Sequence, residues 1–578
     1  MPGRLRPTSE NRGNALWGRG GRRVGALAAT VACVLVAASG AAGSPAPPSA
    51  SPPAGLVKAL TSHLRAYIPD ALLSAAQQDP AQSFDVILQG GRQEKAANFL
   101  AQAFKDSSAN GYSVATNQVK RQFVSIDGAR VSLTGWQILA LGTSKAVTSI
   151  VPNDTVRSSA VNLPVSNSEK WGWSTGAAVD WTGQALSLQT PTIAIVDSGI
   201  DASRTADFGN RVLGQVSLAS TANGPGDTYG HGTFVAGIAA GAATGRAGVA
   251  PSANLLSVDV MGDAGMATVA DVVAACDWIL ANKSQYNIKV ANFSLHSSNP
   301  ASIFFDPIDR AVERLWLNGV TVVAAAGNYA LDGQRSDVPI APANDPFVIT
   351  VGAADIMNTL SAADDVAAPW SAWGYTVDGF AKPDLSAPGR YMIGPVPDGA
   401  TLATERPDHI VSPGYMQLSG TSFSAPAVAG TAALILAQHP DWTPDQVKGA
   451  LMVSARSVPA ATPGSLGVGE LNVPLARMVQ TPPNPNAGLD QYVTTDANGA
   501  PVFDSAAWQS AALANAAWSD AAWSDAAWSD AAWADAVRGD SANEPAVVRS
   551  PIATSEISQT EHDLGINDPF CDPTQPTC

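Results

Sequence analysis

The amino-acid sequence predicts a chain whose central part is an α/β domain built on a mostly parallel sheet. Two runs of small and β-branched residues, 192–197 (TIAIVD) and 320–326 (VTVVAAA), are typical of strands buried on both faces of such a sheet. Before these runs, residues 83–151 follow the order strand, helix, hairpin, helix and strand. After them, from residue 506, a five-residue motif repeats. These observations predict a small α+β domain, an α/β domain and a low-complexity tail, in that order.

Composition and net charge exclude several classes of protein. Of the 578 residues, 46% are apolar and 14% are charged, so wholesale disorder is excluded. The net charge of −16 repels phosphate backbones, so we expect no nucleic-acid partner. The four cysteines do not lie in a metal-ligand spacing and are too few for a disulfide scaffold. Neither a disulfide framework nor a zinc site is therefore expected.

Residues 1–43 are typical of a secretory signal peptide. A stretch rich in arginine precedes an apolar run at 24–38, and small residues follow. This pattern predicts export and removal of the segment. The alternatives are a membrane anchor over residues 24–43, which is about 20 residues long, or a lipid attached to Cys33. Residues 44–55 are rich in proline and are predicted to form a linker.

Residues 56–160 predict a small ferredoxin-like α+β domain. A turn at Asp127-Gly128 is flanked by alternating apolar residues, with Val124 and Ile126 before it, which is the pattern of a two-residue hairpin. The other predicted elements are a strand at 83–89, helices at 94–104 and 135–141, and a strand at 146–151. Strand, helix, hairpin, helix and strand in this order are typical of the ferredoxin-like arrangement.

The segment after the α/β domain predicts no packed core. Residues 481–505 begin with TPPNPNAG and are predicted to be a linker. Residues 506–535 repeat a five-residue motif, which turns a helix by about 140° and flips the face of a strand at each repeat, so its tryptophans share no face. We therefore expect exposed tryptophans, either in a low-complexity linker or in a segment that attaches the protein to a cell surface; they lie at positions 508, 518, 523, 528 and 533.

The end of the chain accounts for most of the negative charge. From Asp504 to the C-terminus there are twelve acidic residues and two arginines, so this part carries −10 of the total charge. In the acidic tail, residues 536–578, Cys571 and Cys578 either pair after export or remain two thiols. Since this charged, repetitive segment builds no apolar face, we expect residues 482–578 to be dispensable for catalysis.

Four segments of the α/β domain carry chemically active residues at the ends of predicted elements. Asp197 ends the first buried strand, and Asn328 follows the second after a glycine. His231 begins the helical segment HGTFVAG, and Ser422 lies at a helix start in SGTSFSAPAVAG. Each motif alone is typical of a turn or a helix cap. Together they predict an orienting acid, a base, a nucleophile and an amide donor.

These segments resemble the subtilisin-like serine proteases over roughly residues 171–476. The matching segments are VDSGID (196–201), HGTFVAG (231–237), GVAPSANL (248–255), NFSL (292–295), AAAGN (324–328), FVITVGA (347–353), KPDLSAPG (382–389) and GTSFSAP (420–426). The resemblance implies a doubly wound, mostly parallel, subtilisin-like sheet in a catalytic domain of residues 161–480. It also implies a catalytic triad with an oxyanion-hole side chain; the triad is Asp197, His231 and Ser422, and the side chain is that of Asn328.

The resemblance further implies a site for protein or peptide substrates. Ser294 and Leu295 match the edge strand that pairs with an extended peptide, and Ala325 and Gly327 are the other expected substrate-binding residues. His296 stands where the family usually has a glycine, so the substrate pocket is expected to differ in shape.

Residues 56–160 look like the inhibitory prodomain of this family, which assists folding and whose end lies in the active-site cleft. Its removal would require cleavage between Asp154 and Trp171. With the predicted signal peptide, this implies a secreted serine endopeptidase made as a zymogen. The alternatives are a catalytically silent surface-binding protein that uses the tryptophan repeats, and another acyl-transfer hydrolase such as an esterase. The complete set of active residues counts against the silent protein, and the apparent prodomain and the NFSL strand favour peptide substrates over those of an esterase.

The implied chemistry needs no cofactor, because side chains supply the base, the nucleophile and the oxyanion donor. Residues 241–248 lack the asparagine-rich loop that binds calcium in many relatives. A structural calcium elsewhere, and therefore any metal ligand, is left open by the sequence.

Overall fold

The structure is a computed structural model, and it describes residues 63–90, 96–109, 111–158, 170–178, 189–496 and 499–514. The predicted signal peptide and proline-rich linker lie outside these residues, as do the repeats from residue 515, the acidic tail and its two cysteines. Most of the predicted cleavage region, residues 159–169, also lies outside them. None of the helices in the described ranges combines the length and apolarity that crossing a membrane requires.

The N-terminal part of the described chain forms a four-stranded antiparallel sheet with helices, which we call the N-terminal domain. Its elements are α1 (Asp70–Gln78), β1 (Ser83–Gly90), α2 (Ala96–Ala109), β2 (Val119–Phe123), β3 (Gly128–Thr134), α3 (Gly135–Leu141) and β4 (Val147–Pro152). The strands lie in the order β2-β3-β1-β4. The predicted order of strand, helix, hairpin, helix and strand is confirmed, although α2 runs to Ala109.

The predicted two-residue hairpin turn is wrong. Strand β2 ends at Phe123, which pairs with Gly128, so the loop covers the four residues between them. Val124 is 70% exposed, whereas Ile126 is fully buried in the main hydrophobic core. The backbone N–H groups of Val124 and Ser125 donate to the carboxylate of Asp277, 153 and 152 residues further along the chain. Contacts with a distant helix therefore set this turn, and a local alternation pattern does not report them.

The remaining elements are β5, which lies in the segment that ends the predicted 56–160 domain, and those of the α/β domain and its extensions. The strands are β5 (Thr155–Ser158), β6 (Thr192–Asp197), β7 (Val212–Ser217), β8 (Leu255–Asp259), β9 (Met266–Thr268), β10 (Ile288–Phe293), β11 (Leu295–Ser297), β12 (Thr321–Ala325), β13 (Ile349–Asp355), β14 (Val366–Ala367), β15 (Gly374–Tyr375), β16 (Ala381–Lys382), β17 (Leu385–Pro388), β18 (Met392–Pro395), β19 (Ile410–Ser412), β20 (Tyr415–Leu418), β21 (Val493–Thr495) and β22 (Pro501–Phe503). The helices are α4 (Trp171–Ser174), α5 (Thr205–Phe208), α6 (His231–Ala240), α7 (Val269–Tyr286), α8 (Pro307–Leu317), α9 (Thr401–Glu405), α10 (Thr421–Gln438), α11 (Pro444–Val453), α12 (Val473–Met478), α13 (Ala487–Asp490) and α14 (Ser505–Ala514).

An eight-stranded sheet with helices on both faces forms the α/β domain. Strands β7, β8, β6, β10, β12, β13 and β17 pair in parallel in this order, and β14 pairs antiparallel with β13. Helices α6 and α10 pack together on one face, and α7 and α8 pack together on the other. Strand β6 is buried along its whole length, as a central parallel strand must be. The predicted α/β fold with a mostly parallel sheet is confirmed.

The C-terminal extension, residues 487–514, packs against the α/β domain. Leu489, Phe503 and Trp508 belong to the main hydrophobic core, and Trp508 is 2% exposed. Its ring lies 5.5 Å from the ring of Phe304 and 5.2 Å from that of Phe380. The predictions of a linker at 481–505 and of an exposed tryptophan at 508 are therefore wrong. The repeat pattern treats its copies as equivalent, but the first copy lies next to apolar residues that it covers.

Candidate active site

Asp197 and His231 form a buried hydrogen-bonded pair. Asp197 is the last residue of β6, and His231 is the first residue of α6. The Nδ1 atom of His231 lies 2.7 Å from the Oδ1 atom of Asp197, and both side chains are fully buried. Gly230 allows the chain to enter α6 with a φ of 103°, a conformation that other residues rarely adopt. The carboxyl end of a central strand thus faces a helix start across one hydrogen bond.

Ser422 lies at the N-terminus of α10, close to this pair. The ring of the next residue, Phe423, is 5.3 Å from the ring of His231. The Ser422 hydroxyl donates to the backbone carbonyl of Ser294 at 3.0 Å, and the Ser294 hydroxyl donates to the carbonyl of Ser422 at 2.7 Å. Within the described residues, Nε2 of His231 has no hydrogen-bond partner. The serine is therefore brought beside the histidine, but its hydroxyl points to the edge strand.

The side chain of Asn328 is held by its carbonyl oxygen. Oδ1 accepts hydrogen bonds from the backbone N–H of Thr421 at 3.0 Å and from the Thr421 hydroxyl at 3.1 Å. The same hydroxyl accepts the N–H of Gly327 at 3.1 Å. The Nδ2 atom of Asn328 is buried and has no partner among the described residues. Asn328 is therefore anchored through its carbonyl oxygen on Thr421, the residue before Ser422, and its Nδ2 donor stays available. Stabilisation of an oxyanion requires such a donor.

A segment of the chain itself pairs with the edge strand β11 at this site. Strand β5 pairs antiparallel with both β11 and β9, so it is the central strand of a three-stranded sheet. Ser158 lies opposite Leu295, one residue from Ser294. Val156, two residues earlier, is fully buried. Strand β5 therefore pairs with the strand that follows Ser294, whose backbone carbonyl accepts the Ser422 hydroxyl.

The other predicted substrate-binding residues lie at the same edge of the sheet. Ala325 ends β12 and is fully buried, and Gly327 follows two residues later. His296 is 1% exposed, and its ring lies 6.4 Å from that of Tyr329. A buried imidazole thus stands at position 296 of the edge strand, where a glycine was expected, and the ring of Tyr329 lies beside it. The roles of Ser294, Leu295, Ala325 and Gly327 in binding substrate stay predictions.

Sequence reasoning missed a buried aspartate beside the histidine. Asp227 accepts hydrogen bonds from the Ser198 hydroxyl at 2.9 Å and from the backbone N–H groups of Gly230 and Thr233, both at 2.7 Å. Burial raises the pKa of Asp227 to about 6, and these hydrogen bonds oppose the rise. The available signal was an aspartate four residues before His231 in the segment DTYGH.

A second missed carboxylate lies on the neighbouring strand. Asp259 ends β8 and pairs in register with Asp197 at the end of β6. Burial raises the pKa of Asp259 to about 7; a hydrogen bond from Asn223 opposes this, and the charge of Asp227 adds to it. Three aspartates therefore lie at one edge of the sheet, and only Asp197 bonds to the histidine.

Metal binding was left open by the sequence. In the ranges that the structure describes, no group of three or more His, Cys, Asp or Glu side chains is arranged to hold a metal ion. The expectation that the chemistry needs no cofactor is not tested by this finding and stays a prediction.

Comparison with known proteins identifies the family of the chain. A buried acid and base at the ends of a strand and a helix, with a serine at a neighbouring helix start, are compatible with the arrangement that serine hydrolases use. The family model described as "Subtilase family" matches residues 189–471. Serine protease AprX of Bacillus subtilis (strain 168) is 35% identical over 299 residues, which cover 50% of this chain and 66% of AprX. Subtilisin E of the same strain is 30% identical over 341 residues, which cover 58% of this chain and 78% of subtilisin E.

A solved structure also matches the chain. It is described as a cold adapted subtilisin-like serine proteinase, is 29% identical, and aligns with 49% of this chain and 88% of its own at a TM-score of 0.39. From the family model and the sequence relatives, the chain belongs to the subtilase family of serine endopeptidases. The resemblance that the motifs indicated is confirmed.

Proposed function

We propose that the chain is an exported serine endopeptidase made as a zymogen, with Asp197, His231 and Ser422 as its catalytic triad. The observation that supports this most strongly is the fully buried hydrogen bond between Asp197 and His231 beside the N-terminus of α10, where Ser422 lies. A serine hydroxyl is a weak nucleophile, so it needs a neighbouring base that a carboxylate holds in one tautomer. Export rests on the sequence of residues 1–43 alone.

The mechanism begins with a rotation of the serine side chain. The Ser422 hydroxyl donates to the carbonyl of Ser294, and a turn about its Cα–Cβ bond brings Oγ to the unpartnered Nε2 of His231. His231 then takes the proton while Oγ attacks the peptide carbonyl, and Asp197 stabilises the imidazolium that forms. His231 next returns the proton to the leaving amine. Water then attacks the acyl carbon while His231 takes its proton, and His231 gives that proton to Oγ of Ser422 as the bond between Oγ and the acyl carbon breaks.

Asn328 stabilises the oxygen that becomes negative during the attack. Its carbonyl is anchored on Thr421, the residue before the nucleophile, so its Nδ2 donor is fixed relative to Ser422. A donor that is fixed in advance loses no orientational freedom during the reaction. We propose that this donor and a backbone N–H near Ser422 form the oxyanion hole.

The N-terminal domain acts as the inhibitor in this proposal. Besides β5 in the cleft, the contacts that hold it include the following: its loop donates to Asp277, Asn153 accepts the N–H of Ala270 at 2.9 Å, and Gln89 donates to the carbonyl of Phe305 at 2.7 Å. Strand β5 excludes other peptides from the edge strand because it already satisfies that strand's hydrogen bonds. Pairing through a peptide strand also favours peptide substrates over the ester substrates of an esterase.

Self-processing provides the test. Since Ser158 pairs with the residue next to Ser294, we expect cleavage within about two residues after Ser158, inside the broader region predicted from the sequence. Full-length wild type and Ser422→Ala would be produced in a host that lacks proteases, and their products measured by intact mass. We expect the wild type to lose its N-terminal domain and the variant to keep it. Normal processing of the variant would contradict the role of Ser422.

The alternative of a silent surface-binding protein finds no support in the site. The four active residues all lie at one edge of the sheet, and Trp508 is packed in the core. Attachment to a surface remains a proposal for the part of the 506–535 repeat segment that follows residue 514.

A further inference from the structure

We propose that Asp227 is a positioning residue that sets the distance between Asp197 and His231, an inference that rests on the proposed function. Asp227 is 4% exposed and lies on the loop before α6. It touches neither a substrate strand nor the reacting atoms. Its carboxylate instead joins the loop that follows Asp197 to the first turn of the helix that carries His231.

The first half of this connection runs through Ser198. The backbone N–H of Ser198 donates to Oδ1 of Asp197 at 2.8 Å, and its hydroxyl donates to Oδ1 of Asp227 at 2.9 Å. The same hydroxyl accepts the N–H of Gly232 at 2.9 Å. Ser198 therefore contacts the orienting acid, Asp227 and the residue after the histidine.

The second half runs from Asp227 to the backbone on both sides of His231. Oδ1 accepts the N–H of Gly230, the residue before the histidine, and Oδ2 accepts the N–H of Thr233, two residues after it. The first N–H groups of a helix have no partner inside the helix, and its N-terminus favours negative charge. A buried carboxylate meets both needs, whereas an apolar residue at 227 would leave these donors without an acceptor.

Close packing leaves the helix start little room to shift. A Cβ atom added at Gly232 would lie 2.2 Å from the carbonyl oxygen of Gly199 and 3.1 Å from Cβ of Asp197. The first turn of α6 is thus pressed against the loop that follows β6, and the hydrogen bonds of Asp227 fix its position there. A displacement of about 1 Å at a reacting group lowers a rate roughly 100-fold, so loss of these bonds should act on turnover.

The test compares two aspartate-to-asparagine variants of the processed enzyme. Asp227→Asn keeps the shape but replaces one acceptor oxygen with an NH2 group, so Ser198 and Gly230, or Thr233, lose their acceptor. We expect kcat to fall about 10- to 100-fold while KM stays within about twofold. Asp306→Asn is the matched control, because Asp306 is also buried, also accepts two backbone N–H groups and also has a pKa raised by burial to about 6. Its kcat should change by less than about twofold.

A spectroscopic readout separates positioning from general destabilisation. The proton between Nδ1 of His231 and Asp197 gives a far-downfield NMR resonance when that hydrogen bond is short and buried. We expect Asp227→Asn to shift or broaden this resonance and Asp306→Asn to leave it unchanged. The concentration of competent sites is measured in each variant with a serine-directed phosphonate, so that kcat refers to folded enzyme.

A second variant covers the case in which Asp227→Asn does not fold. Ser198→Ala removes the hydroxyl between Asp227 and Gly232 and keeps the backbone bond to Asp197, and we expect it to lower kcat about tenfold and to shift the same resonance. The proposal is overturned if the folded variants show no larger loss of kcat than Asp306→Asn, or if the resonance does not move. A wild type that neither hydrolyses peptides nor reacts with the phosphonate would instead refute the proposed function, and the resonance would still test the role of Asp227.

Discussion

Removing the indole of Trp508 should lower the free energy of unfolding of the enzyme, although the sequence pattern predicts that this residue is part of a dispensable tail. Trp508 is 2% exposed, and its ring contacts those of Phe304, Phe380 and Phe503 at 5.5, 5.2 and 6.4 Å between centroids. Truncating a fully buried tryptophan to alanine costs about 3–5 kcal/mol, from the lost burial and the cavity that remains. Since the net stability of a domain is about 5–15 kcal/mol, this loss is a large fraction of it.

The assay is denaturant-induced unfolding of Trp508→Ala in the Ser422→Ala background, where the protein cannot digest itself. Trp518→Ala, in a later copy of the repeat, is the matched control, and we expect it to change the free energy of unfolding by less than about 0.5 kcal/mol. Chains that end at Gln480 and at Ala514 extend the comparison. The shorter chain loses Phe503 as well as Trp508 and should be poorly folded, whereas the longer one should be as stable as the full-length protein.

A loss below about 1 kcal/mol for Trp508→Ala would refute this reasoning, because no buried tryptophan in a close-packed core is removed at so small a cost. Full stability of the chain that ends at Gln480 would do the same. It would restore the domain boundary that the sequence predicts.

Two further predictions concern the site and its pH dependence. Asn328→Ala should fold normally and lose about 100- to 1,000-fold in turnover of a short peptide, because its Nδ2 acts mainly in the transition state; unchanged turnover would assign the oxyanion hole elsewhere. Burial raises the folded pKa of Asp259 from 3.8 to about 7, so the folded state holds this proton more tightly than the unfolded chain. The stability that Asp259 contributes is then present at pH below about 4 and is lost as the pH rises towards about 7. The Asp259→Asn variant does not undergo this loss of stability. In the Ser422→Ala background, the free energy of unfolding of this variant minus that of the protein with Asp259 should therefore be larger at about pH 8 than at about pH 4. An equal or reversed difference would count against the prediction.

The sequence by itself determined the parts of this protein that depend on local pattern. The β-branched run that ends at Asp197 forms a buried parallel strand, as its composition predicts. The helix starts near His231 and Ser422 could also be predicted, because the segments HGTFVAG and GTSFSAP combine glycine with small or apolar residues there. Because parallel strands bring their carboxyl ends to one edge, these motifs were expected to meet there, and the structure brings them together.

Only the tertiary structure decided the features that depend on residues distant in the chain. The loop at Val124 follows its hydrogen bond to Asp277, and Trp508 is buried because Phe304 and Phe380 lie beneath it. The hydroxyl of Ser422 points to Ser294, 128 residues away, and no pattern around either serine indicates that bond. Periodicity reports which face of one element is apolar, but it does not report which other element covers that face. That choice is made by packing across the folded chain, where contacts between distant segments outweigh local preference.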